Sequence, residues 1–379
     1  MTVYLDHNAT SPLRPQAREM MARAYDSGGN PSSVHGPGRA ARAIVETARA
    51  SLARHFVTRA EDVVFTSGGT EANNLVIASA KAAGAKRLII SAIEHDAVRD
   101  AALASGLEVE ILPVTADGVA DLRWLESRLS GWNREADGVP FVALMAANNE
   151  TGVIQPVEAA GRLVREAEGL FHIDAVQMAG KLAFDFAGSL AHYAALSAHK
   201  AGGPQGAGAL LLACDAPLTR QMHGGGQETG RRSGTENVAG IAGFAAALAA
   251  VEADEAARMA ALRDALQLKL ESVEGVRIWG AGADRLPNTL CLSAAGWLSE
   301  IQVIAMDLAG FAISAGSACS SGKVRKSRVL EAMGASADEA ASAIRISLGR
   351  TSTQDDVDRF ADAWMREYAR IRPRLAAAV

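Results

Sequence analysis

A large, mostly parallel α/β sheet followed by a smaller α+β domain is the architecture the sequence predicts, on three observations. Short apolar, β-rich runs alternate with helical patterns from about Pro15 to Ala250. Those runs lack the strict two-residue alternation of a half-exposed sheet, so helices should cover both faces. After about Ala256 the pattern changes to one long charged helix and shorter strands, as a second core requires.

The candidate strands of the first region are seven, at 62–65, 87–90, 108–112, 139–145, 170–173, 193–196 and 207–212. Between them, stretches such as Glu71 to Ala83 and Leu122 to Leu129 carry apolar residues at three- and four-residue spacing. The Ala-rich run Val238 to Val251 is shorter than the roughly 18 residues that cross a bilayer, and reads as a buried helix. It follows a polar joint at 227–236. Beyond it come a charged helix to Glu271, strands near 276–279 and 289–292, a Gly/Ser-rich loop from Ser314 to Lys326, and a strand at 343–348.

A chain of 379 residues with a formal charge of −5 can build two cores and has no global attraction to nucleic acid. The opening MTVYLDHNATSP lacks the basic start and apolar core of a secretory leader. Cys214, Cys291 and Cys319 are too few and too scattered for a disulfide framework or a zinc site, which points to the cytoplasm. The histidines show no metal-ligand spacing, so no metal is expected. Only seven lysines occur, so each one invites a question.

In parallel sheets ligands sit beyond the carboxyl ends of the strands, and five motifs follow strands here. Thr66-Ser67-Gly68-Gly69-Thr70-Glu71 leads straight into a helix, as a phosphate cradle or an ordinary glycine turn would. His95 follows the 87–90 run and could stack on a flat ring or be surface polarity. Asn148-Asn149-Glu150-Thr151-Gly152 follows the 139–145 run. Asp174 closes His172-Ile173-Asp174-Ala175-Val176-Gln177, where a buried carboxylate needs a cation or donor and a protonated pyridine nitrogen would serve; a turn cap is the alternative. Lys200 ends Ser197-Ala198-His199-Lys200 before a glycine-rich turn, where a neutral lysine could form a Schiff base. Cradle, ring-facing histidine, aspartate and lysine in chain order are what a pyridoxal-phosphate pocket needs.

With these motifs together, the sequence resembles the cysteine desulfurases of aminotransferase class V, in the NifS/IscS-like group. The resemblance also rests on Tyr4 to Thr10, Gly224 to Asn237, Gly316-Ser317-Ala318-Cys319 and Ile344 to Arg350, and spans nearly the whole chain. It implies the aspartate aminotransferase-like, fold type I architecture of pyridoxal 5'-phosphate (PLP) enzymes. The large PLP-binding domain would be 15–255; 1–14 and 256–379 would form the small domain carrying the cysteine loop. It implies a homodimer that converts L-cysteine to L-alanine and leaves a persulfide on Cys319, for iron–sulfur cluster assembly or other thiolation.

Carried over by position, the resemblance gives Lys200 the Schiff base, Asp174 the pyridine nitrogen, Gln177 the ring hydroxyl, and His95 stacking and proton transfer. Gly69, Thr70, Ser197 and His199 would hold the phosphate, with Thr235 reaching in from the other subunit. Asn149 and Arg345 would orient the substrate, Arg345 by a two-pronged contact with its carboxylate, and the Asn8 segment would line the site. Cys319 sits among small residues with Lys323, Arg325 and Lys326 nearby, and positive charge favours a thiolate; Cys214 and Cys291 read as buried structural residues. The basic loop and a chain end without a polar and aromatic tail leave the protein sulfur acceptor open between an iron–sulfur scaffold and a SUF-type component. A selenocysteine lyase or another class V enzyme is one alternative reading, and a catalytically inactive scaffold or binding partner another.

Overall fold

The computed structural model describes residues 2–316 and 326–376, the last four of these by backbone alone. Among the described residues there are thirteen strands: β1 Val3–Tyr4, β2 Val63–Thr66, β3 Arg87–Ser91, β4 Glu108–Leu112, β5 Phe141–Ala143, β6 Leu170–Asp174, β7 Tyr193–Ser197, β8 Gly208–Leu212, β9 Val276–Ile278, β10 Thr289–Ala294, β11 Phe311–Ala312, β12 Ser314–Ala315 and β13 Ala343–Ser347. Seven of them form one sheet in the order β2-β8-β7-β6-β5-β3-β4. Only β8 runs against its neighbours; every other pairing is parallel. The fold is thus the fold type I arrangement, with a second sheet, β12-β13-β10-β9, in the smaller α+β part.

Helices cover both faces of the large sheet, which explains the missing polar alternation. Leu88, Ile90, Phe141 and Ala143 pack on one side with the helix Gly69–Ala82; Ile89, Val142, Phe171 and Ile173 pack on the other. Helix starts follow the capping residues: His95 accepts from Ala97 N–H, Asp121 from Arg123 and Trp124 N–H, and Asn237 from Gly240 N–H. The run 139–145 contributes only Phe141–Ala143 as strand, because Pro140 has no N–H to give a ladder. Leu144 and Ala146 still donate to the carbonyls of His172 and Asp174, so the chain stays extended toward the sheet rim.

Val238–Ala249 is a helix buried along most of its length. Cys291 lies on β10, fully buried, and burial pushes its thiol pKa far up. Cys214 is a correction: it is exposed. The apolar run that precedes it ends with β8 at Leu212, and the chain turns outward before Cys214.

The small core packs Trp297, Trp364 and Tyr368 together, with Trp297 stacked on Tyr368 at 5.7 Å. A mixed cluster of Ile93, Met145, Trp279, Cys291 and Leu330 joins it to the large sheet. The N-terminal arm belongs to both regions: β1 pairs with β11, and Asp6 bridges to Ser347. Where the arm enters the first long helix, Arg14 meets Glu255 through two 2.6 Å contacts and donates to the carbonyls of Ala201 and Ala250. Gly202, at φ +79°, makes room for this arginine, since a Cβ there would lie 2.8 Å from Arg14 Cγ.

Arg14 and Glu255 are both buried, and leaving one of such a pair alone is costly. Glu255→Ala should lower unfolding free energy by about 3–5 kcal/mol in urea titration. A loss below about 1 kcal/mol, the range of exposed ion pairs, would show that the junction does not depend on this bridge.

Candidate active site

Five strands of the large sheet end at one rim, and the residues after them line one cleft. The helix after β2 gives Gly69, Thr70 and Asn73; the turn after β3 gives His95; the segment after β5 gives Met145 and Asn149. β6 supplies Asp174, Val176 and Gln177, and β7 supplies Ser197, His199 and Lys200. Asn8 of the N-terminal arm closes the cleft, which holds about 280 Å³.

One end of the cleft is built for an anion. The helix Gly69–Ala82 presents the unpaired amides of its first turn there. Gly69 must lack a side chain, because a Cβ would lie 2.6 Å from Val176 Cγ2. Ser197 closes β7 opposite this turn. His199 Nδ1 lies 3.2 Å from Thr10 Oγ1; burial, then Lys200 and Lys181, lower its pKa to about 4. At neutral pH the ring is uncharged and can donate from one nitrogen.

Asp174 supplies the opposite charge. Its Oδ1 accepts from Val176 N–H at 3.0 Å and its Oδ2 from Asn73 Nδ2 at 2.8 Å, so it does cap the next turn as well as face the cleft. Asn73 Oδ1 in turn lies 2.8 Å from His172 Nε2. The amide of Asn73 can only accept on that side, so His172 donates and carries its proton on Nε2. Burial holds the pKa of His172 at about 4, and no cation pairs with Asp174 among the described residues. Glu94 lies close behind; burial first, then Asp174, push its pKa well above the usual range. It accepts from Met145 N–H, and burial favours its neutral form.

Lys200 donates to the main-chain carbonyls of Asn8 and Ala9, at 2.6 and 2.7 Å. Gln177 Nε2 donates to the same Asn8 carbonyl at 3.1 Å. Lys181 Nζ donates to Asn8 Oδ1 at 2.7 Å and to Gln177 Oε1. His95 Nδ1 accepts from Ala97 N–H, which fixes the neutral ring with its proton on Nε2.

Arg345 and Thr235 do not line this cleft, and Cys319 is outside the described residues. Arg345 is buried behind the cleft, with Nη2 on Asp6 Oδ1 at 2.7 Å and Nη1 on the carbonyl of Asn149 at 3.0 Å; its Nε has no partner among the described residues. Thr235 is exposed and does not line the cleft of its own chain. Cys319, with Lys323 and Arg325, lies outside the described residues. Asn73, Glu94 and Lys181 were given no role by sequence reasoning; the scarcity of lysines was the signal pointing at Lys181.

The geometry fits a flat, anionic heteroaromatic aldehyde. A helix N-terminus would seat its phosphate, a buried carboxylate without a cation would meet its ring nitrogen, and an amine lies on the cleft wall. Among the described residues, no three His, Cys, Asp or Glu side chains gather as a metal site.

The family model for aminotransferase class V matches residues 3–360. A cysteine desulfurase of Cereibacter sphaeroides is 40% identical over 368 residues, covering 94% of this chain and 93% of its own. An IscS-like cysteine desulfurase of Mycobacterium tuberculosis is 37% identical over 390 residues, covering 99% and 98%. The X-ray structure of a NifS-like protein from Rickettsia africae superposes with a TM-score of 0.89 at 34% identity, covering 97% of this chain and all of the other.

Glu150 yields a pH-dependent prediction. It is buried and accepts from Ser327 Oγ; burial raises its pKa from 4.5 to about 7, against the pull of Ser327, Arg345, Arg328 and His95. The folded chain therefore binds a proton that the unfolded chain has released, and this group removes stability as pH rises from about 4.5 through about 7. At about 1.4 kcal/mol per unit the effect is at most about 3 kcal/mol. Glu150→Gln should gain stability relative to the parent chain between pH 5 and 8 in denaturant titrations. A difference independent of pH would show that the carboxyl titrates normally.

Proposed function

This chain belongs to the aminotransferase class-V family, and from that premise we propose how its residues divide the work. It is a pyridoxal 5'-phosphate-dependent cysteine desulfurase of the NifS/IscS-like group, taking sulfur from L-cysteine, releasing L-alanine and forming a persulfide that supplies iron–sulfur assembly. The observation that carries the reading is the meeting of an anion seat, the Asp174 carboxylate and the Lys200 amine in one cleft. When bound, PLP supplies an electron sink, through a ring whose nitrogen a carboxylate keeps protonated.

The chain's own residues then have distinct tasks. Gly69, Thr70, Ser197 and His199 hold the phosphate, joined by Thr235 of a second subunit in a homodimer. Asp174 keeps the ring nitrogen protonated, and Asn73 holds that carboxylate in place from behind. Lys200 would hold the cofactor, give way to the substrate amine, and then serve as the base for the substrate α-proton. Gln177 has its amide oxygen occupied by Lys181, which leaves its NH₂ as the donor toward a ring hydroxyl. His95 would stack on the ring and would give its proton from Nε2, because Nδ1 is already an acceptor.

Asn149 and Asn8 border the substrate space. Arg345 takes the substrate carboxylate by exchanging Asp6, a neighbour with 20% side-chain exposure, for the incoming anion. The Cys319 thiolate attacks the substrate sulfur: an S–S bond forms, the Cβ–S bond breaks, and its electron pair stays with carbon, which is protonated and leaves as alanine. The persulfide passes to a protein acceptor, an iron–sulfur scaffold or a SUF-type component, steered by the basic residues 323–326. No helix among the described residues is long and apolar enough to cross a membrane. The persulfide chemistry suits the reducing cytoplasm.

Two measurements test this division. The purified protein should show a visible cofactor band that Lys200→Ala abolishes, and cysteine should add about 32 Da, one sulfur atom, to Cys319. Alanine formation without that adduct would assign the sulfur transfer to another group.

A further inference from the structure

The guanidinium of Arg345 is a fork filled on one prong. Arg345 stands on β13 between β10 and β12, paired with Cys291 and Ser314, and its side chain is buried. Nη1 donates to the carbonyl of Asn149, a residue of the cleft wall. On the adjoining edge Nη2 meets Asp6 Oδ1 in a single contact at 2.7 Å. Nε, the other donor of that edge, is buried with no partner among the described residues. A buried donor left without an acceptor is costly. A carboxylate laid across both Nε and Nη2 would satisfy the edge with two parallel bonds, which one oxygen of Asp6 does not.

Asp6 is placed so that its side chain can leave while its backbone stays. Tyr4 donates its hydroxyl to the carbonyls of Asp6 and Thr10. Ser347 N–H donates to the Leu5 carbonyl, and His7 N–H to the Ser347 carbonyl, so the arm is pinned to β13 on both sides of Asp6. The Asp6 carboxylate is partly exposed and can turn to water without moving the arm that carries Asn8. The neighbouring Glu150 does not compete for the fork, because its carboxyl accepts from Ser327 Oγ.

We propose that Asp6 is a resident competitor for the carboxylate of the substrate. It holds Arg345 by one prong in the free protein, and a ligand displaces it only by bringing a free carboxylate that spans both prongs. Asp6 is thus a positioning residue that acts through Arg345 and sets specificity for the carboxylate. The proposal rests on the reading of Arg345 as the seat of the substrate carboxylate. It adds that binding must first break an internal ion pair, so that affinity is held below what the open fork would give, and a ligand of the same shape without the charge gains nothing from Arg345.

The test compares two ligands of the cofactor-loaded, full-length protein by isothermal calorimetry. One is L-alanine; the other is L-alaninamide, which has the same amine and methyl group but no carboxylate. Asp6→Asn keeps an acceptor for Nη2 and removes its charge, so L-alanine should bind about tenfold tighter, the difference between a charged and a neutral hydrogen-bond partner. L-Alaninamide should bind as it does to the parent chain. A general loosening of the arm alters both affinities together, so the ratio of the two is the reading. An unchanged or lowered ratio in Asp6→Asn would overturn the proposal. Should that variant fail to fold, Asp6→Ser is read by the same ratio. Arg345→Gln separates the proposal from its premise: it should abolish the preference for L-alanine over L-alaninamide. If the preference survives, Arg345 is not the carboxylate seat; if it is lost while Asp6→Asn gains nothing, the role of Asp6 alone is wrong.

Discussion

The structure depends on the accommodation of one buried asparagine. Asn8 donates from its side chain to Thr289 Oγ1 and the Asn149 carbonyl, and from its main chain to Ser347 Oγ. Its side-chain oxygen accepts from Lys181 and Asn288, and its carbonyl from Gln177 and Lys200. A buried polar network is tolerable only when its members are satisfied. Here satisfaction requires the arm, the large sheet and the second sheet to be in register at once. The same arrangement that orders the fold therefore places the reactive amine.

A second constraint is electrostatic. Glu94, Asp174 and Glu150 are all nearly or fully buried around the cleft, yet they do not behave alike. Asp174 accepts two good hydrogen bonds from neutral donors. Glu94 accepts one through Oε1 and has Oε2 without a partner among the described residues. Its neutral form is the cheaper one beside a carboxylate. Desolvation thus disfavours charge on the glutamate behind, while the aspartate that faces the cleft is held by two donors.

Much of this was legible in the sequence, for a physical reason. His95, Asp174 and Lys200 follow apolar runs, and a parallel sheet collects the ends of its strands on one rim, so chain position alone brought them together. The supporting residues carry no such mark. Asn73 is a helix residue whose partner is 101 positions away, and Lys181 meets Asn8 across 173. Contacts of that span are fixed by tertiary packing rather than by local pattern. Arg345 shows the same limit: its place on β13 was readable, but its engagement by Asp6, 339 positions distant, was not. Cys214 was misjudged because an apolar run was extended two residues past the end of its strand.

The reversed strand β8 has a quieter importance. Because it runs against β2 and β7, it begins where they finish, and Gly208 pairs with Thr66 on one side and Ser197 on the other. A Cβ on Gly208 would come within 2.6 Å of Gly68 Cα. At this point of the anion seat the backbones of two segments touch, and the first residue of β8 has no room for a side chain. The turn that opens the helix Gly69–Ala82 is thereby fixed from beneath by the entry of β8, and a larger residue at 208 would displace it.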